Sequence, residues 1–249
     1  MLNNYKMNSI LTGLLAFVIF VTTMQPVQAM HIMEGFLPPG SCIFWGILCV
    51  PFLARGITKI NLLLARHPQA ITFLAMAGAF TFVLSALKLP SLTGSSSHMT
   101  GLGFAVILFG PSVAGVLSVI VLLFQAILLA HGGLTTLGAN TFSMGVAGTV
   151  TAFLVYYLLQ KINSPKSVAI FFAAFFGDLA TYVTTSFQLA FAHPSEVGGV
   201  TASFIKYAGI FAITQIPLAV VEGILTVVLF NIITDYARDI INPCGEHYS

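Results

Sequence analysis

"GLGFAVILFGPSVAGVLSVIVLLFQAILLA", residues 101 to 130, is nearly all apolar and carries a single interruption, Gly110-Pro111-Ser112. One membrane crossing takes about 20 residues, so thirty are too many for a single helix. A Gly-Pro step stops one helix and starts another. The stretch therefore predicts a short half-helix near 102 to 109, a turn, and a longer helix to Ala130. Broken helices are tolerated inside a membrane where they line a buried site.

Further apolar runs lie near 41 to 60, 70 to 89, 141 to 160, 167 to 191 and 204 to 234, each long enough to span. They are separated by "ARHPQA", "LPSLTGSSSHMTG", "HGGLTTLGAN", "INSPKS" and "AHPSEVGGVT", which have the Pro, Gly, Ser and Asn content of loops. Of 249 residues 57% are hydrophobic and 6% charged, against about a quarter charged in a soluble domain. The fold class is thus an all-α integral membrane protein, a multispanning bundle of about six to seven membrane segments, with no internal repeat. The formal charge of +2 comes from scattered basic residues, which points away from a nucleic-acid partner and towards membrane lipid. Cys42, Cys49 and Cys244 are odd in number and lack metal spacing, so neither a disulfide framework nor a zinc site is expected.

Residues 1 to 29 have the layout of a cleavable signal peptide: Lys6, an apolar core from Ile10 to Val21, and small residues at Val27-Gln28-Ala29. Cleavage after Ala29 makes Met30 the first residue of a single membrane-embedded domain, 30 to 249. The alternative is an uncleaved first helix. With Met30 released outside a bacterial plasma membrane, Arg55, Lys59 and Arg66 reach the cytoplasm, as the positive-inside bias requires. Lys161, Lys166 and Arg238 follow on the same side, with the C-terminus cytoplasmic. His98 and His131 then share the outer face, and residues 100 to 131 must enter and leave on that face, as the break at Gly110 allows.

There is no G-x-x-x-x-G-K-[ST] loop, H-E-x-x-H or G-x-S-x-G, so neither an ATPase nor a recognisable enzyme is indicated, and no catalytic cofactor. Among six histidines, His67, His193 and His247 read as loop or tail polarity. His31 differs, because a free amine at Met30, the His31 backbone nitrogen and its Nδ1 close two adjacent chelate rings on one metal ion. Three nitrogens so arranged favour a flat geometry, suited to Ni(II), Cu(II) or low-spin Co(II). Metal must displace protons from the amine, of ordinary pKa about 7.7–8.0, and from the amide, so binding weakens in acid. His98 in "TGSSSHMTGLG" is the candidate fourth ligand, with Ser96 and Ser97 available to orient it. His131, Thr135, Thr136 and Asn140 share the outer face and are candidates to support the site or, equally, simple loop polarity. "EGFLPPG" is expected to tuck the new terminus into the bundle, through Phe36 and Leu37, with Pro38-Pro39 stiffening the return. Asp178 and Glu222 lie within apolar helices, where an acid faces the interior, and are read as hydrogen-bonding partners for Thr181, Tyr182 or Gln215 within the bundle, the alternative being part of a proton or docking path.

Five stretches, "MHIMEGFLPPG", "SLTGSSSHMTGLGFAVILFGPSVAG", "LLFQAILLAHGGLTTLGANTFSMG", "GDLATYVTTSFQLA" and "GIFAITQIPLAVVEGILTVVLFN", resemble the CbiM/NikM family, the substrate-capture (S) components of energy-coupling-factor (ECF) importers for cobalt and nickel. The resemblance covers nearly the whole of 30 to 249. It implies a bundle with the amino-terminal segment inserted and the metal held by Met30, His31 and His98. It also implies a small accessory membrane subunit (CbiN-like), a transmembrane coupling subunit (CbiQ-like) and cytoplasmic ATPases (CbiO-like). Cobalt(II) is then cargo for cobalamin biosynthesis, with nickel(II) the close alternative. Many members begin at the equivalent of Met30, whereas this chain carries 29 residues ahead of it, and it reads "SSSHMTG" where members commonly have a cysteine and a proline around the histidine. Two other classes stand beside the importer: an ion-coupled metal permease and a metal-dependent intramembrane enzyme. The scarcity of intramembrane charge argues against the former, and the lack of spacing tying Asp178 or Glu222 to the histidines against the latter.

Overall fold

The structure, a computed structural model, describes residues 30–90 and 96–236. The expected signal peptide, Arg238, Cys244 and His247 lie outside the described residues. Among those described, the order is an extended amino-terminal segment, α1 (Pro39–Arg66), α2 (Ala70–Ala86), a two-residue ladder of β1 (Leu89–Pro90) and β2 (Ser96–Ser97), α3 (Gly103–Phe109), α4 (Pro111–Leu129), α5 (Leu137–Lys161), α6 (Lys166–Ala192) and α7 (Gly199–Tyr236). Five of these helices, α1, α4, α5, α6 and α7, are long and apolar enough to cross a membrane.

Pro38 and Pro39 set the start of α1, where a fixed φ is pre-organised for the first helical turn and a missing N–H costs nothing. In α2 the buried residues Ala70, Phe73, Leu74, Ala77, Thr81, Leu84 and Ser85 recur every three or four positions and so make one face. On α4, Val113, Ala114, Leu117, Val121 and Leu122 point inward while Ile120, Phe124 and Ile127 point out. Outward-facing residues of that kind are at home in lipid rather than water.

Gly110 separates α3 from α4 with φ 80 and ψ 171, a conformation that L-side chains avoid, and Pro111 opens α4. The break expected from Gly110-Pro111 is therefore present. At seven residues α3 is about 10 Å long, far short of a crossing. Six of its seven residues are buried, with Phe104 and Ala105 fully enclosed, so it runs through the core rather than beside lipid.

Four boundaries differ from the apolar runs, the first being α1, which continues to Arg66 rather than 60. Helix α2 ends at Ala86 rather than 89, because Leu87, Lys88 and Leu89 turn out to solvent and into β1. Helix α7 begins at Gly199, absorbing part of "AHPSEVGGVT". Helix α5 begins at Leu137 and passes through a π-helical stretch, Thr141–Gly148, where apolarity alone suggests an ordinary helix. That stretch holds Gly145 and Gly148, whose missing Cβ atoms admit Ser118 of α4 and Thr181 of α6 to within van der Waals range of the backbone. Wide helical turns of this type gather at functional sites.

The amino-terminal segment is not a surface tail. Met30, His31 and Ile32 are buried, and Ile32 and Leu37 pack with Ala139 of α5, Leu189 and Ala190 of α6, and Tyr207 and Phe211 of α7. An insertion of the segment into the bundle is thus the arrangement found.

Candidate metal centre

Backbone hydrogen-bonding groups buried away from water must be paired, and the amino-terminal segment pairs its own by borrowing side chains. The Ile32 N–H donates to Asn140 Oδ1 at 2.8 Å, while Asn140 Nδ2 donates to the Ile32 carbonyl at 3.0 Å. One amide side chain thereby plays the part of a neighbouring strand. Thr136 Oγ1 donates to the same carbonyl at 2.7 Å, and Met30 N donates to the Ser96 carbonyl at 3.1 Å. Further along, the Glu34 carboxylate accepts from the Thr135 N–H at 3.1 Å and from the Thr135 hydroxyl, which holds its pKa below the usual carboxylate value. His193 Nε2 lies 2.8 Å from the Phe36 carbonyl. His31, in the middle of this tethered run, is left pointing inward.

His131 is placed by the end of α4. Ala130 takes the left-handed conformation (φ 47, ψ 42) and the His131 N–H reaches back to the Gln125 carbonyl at 3.1 Å, a helix stop that turns the chain sharply. Gly132 and Gly133 follow, each for its own reason. Gly132 has φ 81, a left-handed backbone that favours glycine, and a Cβ there would sit 3.1 Å from Asn140 Nδ2; a Cβ on Gly133 would sit only 2.6 Å from the Glu34 backbone. The pair "GG" after His131 is a sequence signal for close backbone approach, here of the amino-terminal segment itself.

His98 follows β2 and is gripped from α7. Gln215 Nε2 donates to the His98 carbonyl at 2.9 Å and to Asp178 Oδ2 of α6 at 2.7 Å. The Glu222 carboxylate accepts from the Thr100 N–H at 2.6 Å, the Thr100 hydroxyl at 2.7 Å and the Gly101 N–H at 2.9 Å. The two intramembrane acids thus serve the loop that carries His98. Gln215 is the link that the sequence reading singled out only as a partner for them, not for His98.

The three imidazoles converge. Ring centroids are 4.2 Å apart for His31 and His98, 4.6 Å for His31 and His131, and 4.8 Å for His98 and His131. One ligand atom from each lies within 4.8 Å of the others, and exposure is 0%, 0% and 1%. His98 Nδ1 is 2.9 Å from the Met99 carbonyl, which can only accept, so Nδ1 carries the proton and Nε2 keeps its lone pair. That Nε2, both nitrogens of His31 and both of His131 have no hydrogen-bond partner among the described residues. Each such buried polar atom costs about 1–3 kcal/mol when left unpaired, which is a strong demand for something at the centre.

Burial pushes all three imidazole pKa values down, so the rings are neutral at physiological pH. His31 falls well below its usual value, by burial and then by repulsion from His98 and His131. His98 falls to about 4 through burial, partly opposed by its hydrogen bond at Met99. His131 falls to about 2 through burial, with His98 and the nearby Lys88 adding to it. Neutral imidazole is the form that ligates metal.

The structure brings Met30, His31, His98 and His131 together, with Asn140 and Thr136 against the adjoining backbone. Thr135 serves Glu34 on the exposed side. Ser96 contributes its carbonyl to Met30, and the Ser97 hydroxyl lies 2.7 Å from that of Thr214 rather than on the His98 ring. His193 is exposed, as a loop residue should be, but its ring lies tilted against Phe36, centroids 4.8 Å apart, and so straps the amino-terminal segment. Cys42 and Cys49 are free thiols on α1, away from this cluster.

Residues 31–240 match the family model for CbiM, described as the cobalt uptake substrate-specific transmembrane region. The chain is 55% identical over 242 residues to the cobalt transport protein CbiM of Lachnoclostridium phytofermentans, covering 97% of each chain. It is also 55% identical over 228 residues to that of a Nostoc species, covering 92% of this chain and 87% of the other. A crystal structure of a truncated transition metal transporter superposes with a TM-score of 0.73, covering 83% of this chain and 99% of that one at 22% identity, which supports the membrane fold. The inserted amino-terminal segment, the broken α3–α4 helix and the family match over 31–240 agree: this chain belongs to the CbiM family of cobalt-uptake transmembrane components.

Proposed function

We propose that this chain is the substrate-capture subunit of an ECF-type importer, taking cobalt(II) from outside a bacterial plasma membrane and supplying cobalamin biosynthesis. The observation that carries the reading is the set of three buried, mutually facing imidazoles with unpaired nitrogens, beside Met30. In this reading cleavage after Ala29 frees the Met30 amine. An amine has two N–H bonds left when its lone pair binds metal, so it can go on donating to the Ser96 carbonyl. His31 supplies its backbone nitrogen and Nδ1, and His98 supplies Nε2, held in the right tautomer by Met99.

ATP is used elsewhere in such a complex, by CbiO-like ATPases acting through a CbiQ-like coupling subunit, with a CbiN-like accessory subunit in the membrane. The chain itself is a transport component, not an enzyme. Nickel(II) is favoured as a second cargo by one feature, the flat four-nitrogen set, which suits Ni(II) as well as low-spin Co(II).

The test is a comparison of the processed protein with a variant carrying three extra residues ahead of Met30. The extension turns the Met30 amine into an amide and leaves the new amine four residues from His31, out of chelate range. Loss of tight cobalt binding with an unchanged circular dichroism spectrum is expected, and retained tight binding sinks the terminal-amine chelate. Native mass spectrometry after equal exposure to cobalt and nickel reads the preferred ion and fixes whether the mass begins at Met30.

A further inference from the structure

His131 has no part in the four-nitrogen chelate, yet it is as deeply buried as the ligands and both its ring nitrogens lack partners among the described residues. A histidine kept only for packing finds at least one hydrogen bond, as His98 does with Met99. The ring is also aimed. Its plane is perpendicular to that of His98, at 90°, with centroids 4.8 Å apart, and tilted 43° to that of His31 at 4.6 Å.

Two nitrogens bound to one ion at about 2.0–2.1 Å are at most about 4.2 Å apart. Neighbouring nitrogens at right angles on the ion are closer still, about 2.9 Å apart, so the present spread of no more than 4.8 Å closes around one ion with movements of about an ångström in each ring. The first four donors, amine, amide and two imidazoles, are confined near a plane by the two fused chelate rings. A third imidazole approaching from a separate loop then has the position above that plane.

Resting on the terminal chelate proposed above, we infer that His131 is a fifth, axial nitrogen ligand, and that it sets the preference for cobalt over nickel. The reason is ligand field. Low-spin Co(II), d7, has one electron in the orbital perpendicular to the plane and readily takes one axial donor. Low-spin Ni(II), d8, in the same planar nitrogen field has that orbital filled and gains little from a fifth ligand. Planar four-coordination is the habit of low-spin Ni(II), so a site built with an axial imidazole is biased against it relative to Co(II). The helix stop at Ala130 and the Gly132-Gly133 pair explain how the ring is delivered: they let the His131 loop lie flat on the amino-terminal segment.

The experiment uses processed protein in detergent, as wild type, His131→Ala and His131→Phe, the last keeping a ring of similar size without a donor. Cobalt and nickel affinities are measured by competition titration, and the Co(II) form by electron paramagnetic resonance. In the wild type a single axial nitrogen should split the cobalt signal into a triplet pattern. Both variants should lose that splitting and weaken cobalt tenfold or more, while nickel changes less than threefold. An unsplit wild-type signal, an unchanged cobalt-to-nickel ratio, or equal loss of both metals in both variants overturns the axial role. His31→Ala is the control for the underlying chelate. Tight binding of both metals in that variant removes the chelate itself, an outcome separate from any result at position 131.

Discussion

His98 carries its proton on Nδ1 because the Met99 carbonyl accepts it, so its lone pair is already on the side of His31 and His131 before metal arrives. Keeping three imidazoles neutral and dry makes the metal-free protein sensitive to acid. In the unfolded chain a histidine titrates near pH 6.5, whereas His98 in the fold titrates at about 4 and His31 is lowered as well. Between those values the unfolded state binds more protons, so this contribution to stability is fully present above about pH 6.5 and declines as pH falls towards 4. Glu34, also lowered, adds its own loss only below its ordinary 4.5. Thermal melting of metal-free protein at pH 8, 6 and 5 should therefore show a falling midpoint, with His98→Asn flattening the fall. A further residue-scale prediction concerns Gln215, whose amide bridges the His98 carbonyl and Asp178. Gln215→Leu should weaken cobalt by about 10–100-fold, the usual cost of removing a group that orients a metal ligand, with the protein still folded by circular dichroism.

At the scale of elements, the centre is assembled from four separate pieces of chain: the amino-terminal segment, the 96–101 loop, the turn after α4, and the first turn of α5. The first three are irregular backbone; Asn140 of α5 pairs the amino-terminal segment, Gln215 and Glu222 of α7 pair the 96–101 loop, and the Gln125 carbonyl of α4 takes the His131 N–H, the condition for such backbone to be buried in a membrane protein. The Gly132-Gly133 turn is a tight joint. A Cβ on Gly133 would meet Glu34 backbone atoms at 2.6 Å, and backbone cannot swing aside as a long side chain would. Gly133→Ala should therefore lift the 30–35 segment and reduce cobalt affinity tenfold or more, while α1 to α7 remain intact. Titration beside a thermal melt separates this from global unfolding, which would lower the melting point in proportion.

For the whole molecule, the bundle behaves as a socket for its own terminus. Ile32 and Leu37 fill a cluster with Tyr207 and Phe211, so the buried apolar surface holds the segment before any metal is bound. Metal then relieves the unpaired imidazole nitrogens and binds only the folded state, which stabilises by mass action. At a cobalt concentration one hundred times the dissociation constant the gain is about 2.7 kcal/mol. A rise of several degrees in the melting temperature is expected on adding cobalt to processed protein, and none in the variant extended by three residues. A rise of equal size in both would place the ion elsewhere.

From the sequence by itself came the membrane bundle, the helix break at Gly110-Pro111, and Met30, His31 and His98 as ligand candidates. Apolar length, glycine-proline punctuation and the donor chemistry of a Met-His terminus are local properties, legible wherever they occur. The sequence also brought His131 and Asn140 to the same face, without distinguishing ligand from loop polarity. Only the tertiary structure decided that the His131 ring stands against the other two, that Asn140 mimics a strand for Ile32, and that Gln215 and Glu222 grip the His98 loop across 117 and 122 residues of chain. Those are long-range pairings whose partners have no fixed spacing. They exist because buried backbone groups must find donors and acceptors, and the packing of α5, α6 and α7 determines which side chains are within reach.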